Sequence, residues 1–294
     1  MPTFRSESLT LHYEQYGARA NPLVLLIHGY TCQTIHWPRP LIERIGGAGY
    51  RVVAFDNRDS GLSIKLDHLD VGTVESVLAD PKGVEAPYGI PELSRDVVAL
   101  MDYLGQSGAH LIGFSMGGLI AQQLAIDVPE RVFSITSIGS STNDRDLPGA
   151  ERHAFRAFVS TPPASREAAI AHIANAWRVL GGPHYDSRRV GLARLAEAAY
   201  DRGYSASGAA RQLLAILRAK PRGDALRALD VPALVIHGGV DPMVPVACGE
   251  RTAACLRNSR LRVFEQMGHD LPDPLLDQIA DEIVRHLDSV PAER

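Results

Sequence analysis

The sequence predicts an α/β protein, a mostly parallel twisted sheet flanked by helices, with a helical cap inserted into it. Three observations predict this. Short apolar, β-branched runs alternate with longer stretches of helical period, the pattern of strands joined by crossover helices. Several runs, such as LVLLI at Leu23–Ile27 and ALVI at Ala233–Ile236, are apolar at every position, as strands covered on both faces are. From about Leu147 to Arg227 the strand-like runs stop and only helical periodicity continues.

Taken in order, strands are expected at Leu9–Tyr16, Leu23–Ile27, Arg51–Phe55, His110–Gly113, Val132–Ile138, Ala233–His237 and Leu261–Phe264. Pro91 followed by ELSRDVVALMDYL predicts a helix with proline in its first turn. Met116 to Ile126 predicts a helix entered through glycines. Pro274 to Leu287 predicts a last one, with Leu275, Ile279 and Ile283 forming a stripe that packs on the sheet. The stretch Lys65 to Tyr88, rich in Asp, Gly and Pro, is expected to be a long loop near the site entrance.

In the strandless interval Ile170, Ile173 and Trp177 share one helix face, and Leu192, Leu195 and Ala199 another. These stripes cannot all lie on a sheet that is already covered. Residues 147–227 are therefore expected to form a cap, punctuated by Pro162–Pro163, Gly181–Gly182–Pro183 and Lys220–Pro221–Arg222–Gly223. Residues 1–146 and 228–294 form the core domain.

Composition narrows the function. With 45% hydrophobic and 22% charged residues, the 294-residue chain is an ordinary globular protein with ample core. A formal net charge of -4 leaves no excess of cations to neutralise phosphates, so no nucleic-acid partner is expected. Cys32, Cys248 and Cys255 have neither zinc-ligand spacing nor the density of a disulfide scaffold, and are expected to be free thiols. The N-terminus lacks the apolar core of a secretory signal, and Leu23–Ile27 is far too short to span a bilayer. The expectation is a cytoplasmic monomer or homodimer with no membrane partner, no metal and no cofactor.

The chemistry centres on Gly113-Phe114-Ser115-Met116-Gly117-Gly118, between the strand AHLI and the helical run LIAQQLAI. A serine on so sharp a strand-to-helix turn has strained dihedrals, and small residues must stand two positions either side. The turn lifts the hydroxyl above the sheet and aims the first N–H groups of the helix at any anion forming there. A serine hydroxyl needs a base. His269, in Gly268-His269-Asp270 after the strand LRVFE, is the one histidine of eleven placed at the end of a strand before the final helix. An acid must hold that imidazole in one tautomer. Asp241 in HGGVDPMVP follows the strand ALVIH; its rivals are Asp144 and Asp146, while the adjacent Asp270 is expected to point elsewhere.

An acyl-transfer intermediate needs two N–H donors. Met116, after the nucleophile, supplies one. Tyr30, in the His28-Gly29-Tyr30-Thr31 loop after LVLLI, supplies the other, with His28 bracing the loop. Trp37 and Phe114 either line the acyl pocket or are core, and Met243 and Val244 are further lining candidates. In FDNRDSGLS, a buried Arg–Asp pair is expected to fix the turn after the third strand.

With HGY, FDNRDSGLS, GFSMGG, HGGVDPMVP and QMGHDLP in this order, the chain resembles the α/β-hydrolase superfamily over essentially its whole length. Within it the sequence looks most like the bacterial carboxylesterase and methylesterase group that includes aclacinomycin methylesterase, through DNRDSGLS, the Trp37 region and MGHDLP. The resemblance implies Ser115, Asp241 and His269 as a triad, with Tyr30 and Met116 as oxyanion donors. It departs in the oxyanion segment, HGYTCQ, where an MGGN-like run would be closer. Hydrolysis of a medium to bulky, largely apolar small-molecule ester is the expected activity. A lactonase, a carbon–carbon bond hydrolase or a cofactor-free perhydrolase would use the same triad. A ligand-binding receptor of this fold would keep the pocket and barely turn over.

Overall fold

The computed structural model describes residues 3–6, 9–185 and 189–291. Eight strands form one sheet: β1 (Thr3–Arg5), β2 (Thr10–Tyr16), β3 (Leu23–Ile27), β4 (Arg51–Phe55), β5 (Ala109–Phe114), β6 (Val132–Ile138), β7 (Ala233–Gly238) and β8 (Ser259–Phe264). Their spatial order is β1-β2-β4-β3-β5-β6-β7-β8. β1 and β2 run antiparallel to their neighbours, and every pair from β4 to β8 is parallel.

Eleven α-helices accompany the sheet among the described residues: α1 (Arg39–Gly47), α2 (Val74–Ala79), α3 (Ile90–Tyr103), α4 (Met116–Asp127), α5 (Arg152–Phe158), α6 (Arg166–Leu180), α7 (Arg189–Asp201), α8 (Ala206–Leu217), α9 (Gly223–Arg227), α10 (Val246–Cys255) and α11 (Leu276–Asp288). The unbroken apolar run of β3 now has its reason. Leu25 and Ile27 pack with Val97 and Leu100 of α3 and Ile120 and Leu124 of α4. Val24 and Leu26, pointing the other way, pack with Leu41 and Ile45 of α1 and Ile279 and Ile283 of α11. Both faces are core, so no position is free to be polar. β8 at the edge is different: Arg260 and Arg262 are exposed on it, and Arg260 pairs with Glu282 of α11. Charge on an edge strand discourages further pairing.

The expected strands are present, each within two residues of its expected bounds. β1, α1 and α2 were not anticipated, and α2 lies inside the segment expected to be a loop. A reciprocal cap explains α2: the Thr73 side chain accepts the Ser76 N–H, and the Ser76 hydroxyl accepts the Thr73 N–H. Val74 and Val77 then bury against Leu213 and Leu214 of α8.

Helices α5 to α9 are inserted between β6 and β7. In α6 the buried residues are Ala169, Ala176, Trp177 and Leu180, with Ile170 and Ile173 only half-buried at the margin of the expected stripe. The insertion is joined to the sheet by charge. Arg211 of α8 donates to both carboxylate oxygens of Asp59, at 2.9 and 2.7 Å, with both side chains fully buried. Arg202 donates to Asp56 at 2.6 Å. The FDNRDSGLS turn therefore holds no internal Arg–Asp pair. Arg58 reaches Asp96 of α3 at 2.5 and 2.6 Å, and Asp59 and Asp56 reach the insertion instead. All three cysteines are buried and free, and no described helix is long and apolar enough to cross a membrane.

Candidate active site

Ser115 links β5 to α4 with φ 56° and ψ −118°, a left-handed φ that a non-glycine residue adopts only under constraint. Its neighbours impose the constraint. A Cβ at Gly113 would collide with the Gly117 carbonyl, and one at Gly117 with the Ile27 carbonyl. The Ser115 N–H donates to Ile138 O at 2.9 Å, and its carbonyl accepts the Ser140 hydroxyl at 2.8 Å. The turn is thereby tied to β6.

Ser115 Oγ lies 3.0 Å from His269 Nε2, and His269 Nδ1 lies 2.7 Å from Asp241 Oδ2. A carboxylate only accepts, so Nδ1 carries the proton and Nε2 is left free to take one from the serine. The other Asp241 oxygen accepts the N–H groups of Met243 and Val244, at 2.9 and 2.8 Å, which fixes the carboxylate plane. His237 stands behind it, Nε2 3.7 Å from Asp241 Oδ2 and 2.7 Å from Val244 O, with burial lowering its pKa from the ordinary value. His269 and Asp241 are both buried. The rival acids are engaged elsewhere: Asp144 and Asp146 both accept from Arg251.

The loop after β3 runs beside the serine, close enough that a Cβ at Gly29 would stand 3.0 Å from Ser115 Cβ. His28 braces it, its Nδ1 accepting the Gly29 N–H at 2.7 Å and its carbonyl accepting the Asn57 amide at 3.0 Å. Tyr30, Ser115 and Met116 line one cavity of about 370 Å³. Its remaining walls come from both parts of the chain, with Met243 and Val244 from the sheet side and Phe155, Phe158 and Leu213 from the insertion. None of its lining residues is charged. Trp37 and Phe114 do not line it. Trp37 is buried against the His28 ring, centroids 4.7 Å apart, and Phe114 backs the His269 ring at 5.0 Å.

Sequence reasoning missed the residues the insertion contributes. Phe158 packs its edge on Tyr30, centroids 5.6 Å apart and planes at 74°, and the Leu180 carbonyl accepts the His269 N–H at 2.7 Å. Neither carries a local signal, because each acts through a contact between distant segments. Among the described residues no group of three or more His, Cys, Asp or Glu side chains is placed to hold a metal ion.

A mostly parallel eight-stranded sheet, a serine on a glycine-flanked turn after β5 and a histidine loop after β8 define a class, and residues 22–185 match its family model: the chain belongs to the α/β-hydrolase fold family. It is 26% identical to rhodomycin D methylesterase of Streptomyces sp. (strain C5), over 97% of this chain and 98% of that one. It is also 26% identical to a non-heme haloperoxidase of Rhodococcus erythropolis, over 97% and 98% of the two chains. Among solved structures, the enol-lactonase from Burkholderia xenovorans LB400 superposes with a TM-score of 0.75 at 22% identity, covering 98% of this chain and all of that one.

Proposed function

We propose that the protein is a serine-dependent carboxylic ester hydrolase that works through an acyl-serine intermediate. The observation that carries this is the 3.0 Å approach of Ser115 Oγ to His269 Nε2, with Asp241 on the far side of the ring. Ser115 attacks the ester carbonyl as His269 takes its proton, and the imidazolium so formed is stabilised by Asp241. The Tyr30 and Met116 N–H groups receive the negative oxygen of the tetrahedral intermediate. His269 then returns the proton to the departing alcohol. Water, activated by the same ring, releases the acid.

The cavity supports the substrate class. Its apolar, uncharged lining suits a neutral acyl group of medium size and offers no cation to anchor a substrate carboxylate. The likeness to a methylesterase agrees with an ester, and a neutral lactone would fit the same walls. We read residues 147–227 as the cap that shapes this chamber and excludes bulk water. Three buried free thiols fit a reducing compartment.

Ser115→Ala should lower hydrolysis of p-nitrophenyl butyrate by at least roughly a thousandfold with an unchanged circular dichroism spectrum. A fluorophosphonate probe should label the parent stoichiometrically and the variant not at all. Full turnover in the variant would remove the assignment, and absent labelling of the parent would favour a receptor. A panel of neutral esters, their anionic hemiester counterparts and lactones then separates the substrate classes.

A further inference from the structure

The loop that carries Tyr30 has an unusual conformation for its composition. Thr31, the residue after the donor, has φ 57°, a left-handed value at a β-branched residue. The Gly29–Tyr30 peptide plane that holds the donor N–H has glycine on its upstream side, which permits many orientations. Its direction is set by the turn that follows, in which the Cys32 N–H donates to the Gly29 carbonyl of that same plane at 3.2 Å and Thr31 stands left-handed. There the Thr31 N–H donates to Gln212 Oε1 at 2.8 Å, and Gln212 Nε2 donates to the Arg58 carbonyl at 2.8 Å. Gln212 lies in α8 of the insertion and is fully buried.

We infer that Gln212 is a positioning residue for the reaction, an amide strut from the insertion that holds Thr31 left-handed and so aims the Tyr30 N–H at the oxyanion. The inference rests on the ester-hydrolase reading above. A glutamine suits the task because it must accept from one backbone group and donate to another, and an amide does both without a charge. The strut's footing is firm. Arg58, whose carbonyl it grips, is ion-paired to Asp96, and Arg211, next to Gln212 in α8, is paired to Asp59. Downstream, the Cys32 carbonyl accepts the Ser60 hydroxyl at 2.7 Å and Gln33 Nε2 donates to Ala199 O at 2.7 Å. These bonds fix the loop's far end, the Cys32 N–H to Gly29 carbonyl bond closes the turn, and the Gln212 bond ties the turn's central peptide to the insertion. The inserted helices thus contribute to transition-state stabilisation as well as to the walls.

Gln212→Met keeps the length and burial and removes both hydrogen bonds. Its kcat should fall about 10- to 100-fold, less than deletion of a whole donor and typical of misplacement. KM should stay within about twofold, because the ground-state carbonyl needs the oxyanion donors far less than the intermediate does. A trifluoromethyl ketone, whose adduct with Ser115 places an alkoxide in the hole, should lose affinity by the same factor as kcat. A purely structural role would lower Tm without this split. If Gln212→Met does not fold, Gln212→Asn, which withdraws the amide by one methylene, is read in the same way. Unchanged kcat and ketone affinity, or a loss expressed only in KM, would overturn the inference. Ser115→Ala assayed alongside separates the outcomes: if it is inactive while Gln212→Met is normal, the strut alone is wrong, and if it is active the esterase reading goes as well.

Discussion

The main-chain carbonyl of Leu180, last residue of α6, accepts the main-chain N–H of His269 at 2.7 Å. The imidazole that faces Ser115 is thus held from the inserted helices as well as by Asp241. The approach is tight: a Cβ at Gly268 would collide with that carbonyl.

Gly268→Ala should accordingly push the histidine loop off α6. We expect kcat on p-nitrophenyl butyrate to fall roughly 10- to 100-fold, since small misplacements of a reacting group cost that much. Fluorophosphonate labelling of Ser115 should slow in parallel. Labelling at the parent rate would show that the Leu180 contact does not position the ring.

The Asp59–Arg211 pair yields a stability prediction. Asp59 accepts from Arg211 twice, from the Tyr88 hydroxyl at 2.7 Å and from the Leu66 N–H at 2.9 Å. Arg211→Met leaves a buried carboxylate without its cation and should destabilise by ~3–5 kcal/mol. Adding Asp59→Asn removes the stranded charge and should recover about half of the loss. The readout is the urea midpoint of the three variants, and a double variant no more stable than Arg211→Met would contradict it.

A pH dependence follows from two rings remote from the site. His110 of β5 and His286 of α11 are buried, and burial, with their mutual repulsion at His110 and the Arg260 charge at His286, lowers each to about 4 from 6.5. His110 faces Ser134, whose Oγ is 2.8 Å from its Nδ1, and the rings of Tyr50 and Phe133. Both rings fold neutral, so the unfolded chain takes up their protons first. Their contribution is complete above about pH 6.5 and is lost as pH falls towards 4, by up to ~3 kcal/mol for each ring. Tm measured from pH 7 to pH 5 should fall less steeply in His286→Gln than in the parent. Parallel curves would refute the assignment.

Much of this was legible in the primary structure because the signals are local. Strands buried on both faces announce themselves as runs such as LVLLI, and the glycines at 113 and 117 are demanded by the backbone within five residues of each other. Ser115, Asp241 and His269 were placed by their position after strands. What stayed hidden depends on distant partners. α2 has six residues, too few to show a period, and β1 has three. Arg58 and Asp59 are adjacent in sequence and suggest a mutual pair, yet they point to α3 and α8, a choice made by the packing of those helices. Trp37 is as apolar as any pocket residue, and only the tertiary structure puts it under His28 and away from the cavity.

The buried ionic joints at Asp56 and Asp59 bear on how molecules come and go. Swinging the inserted helices aside as a flap would break the Arg202–Asp56 and Arg211–Asp59 pairs together. At Leu217, which is both exposed and part of the chamber lining, the chamber and the outer surface share one side chain, and its size bears on both.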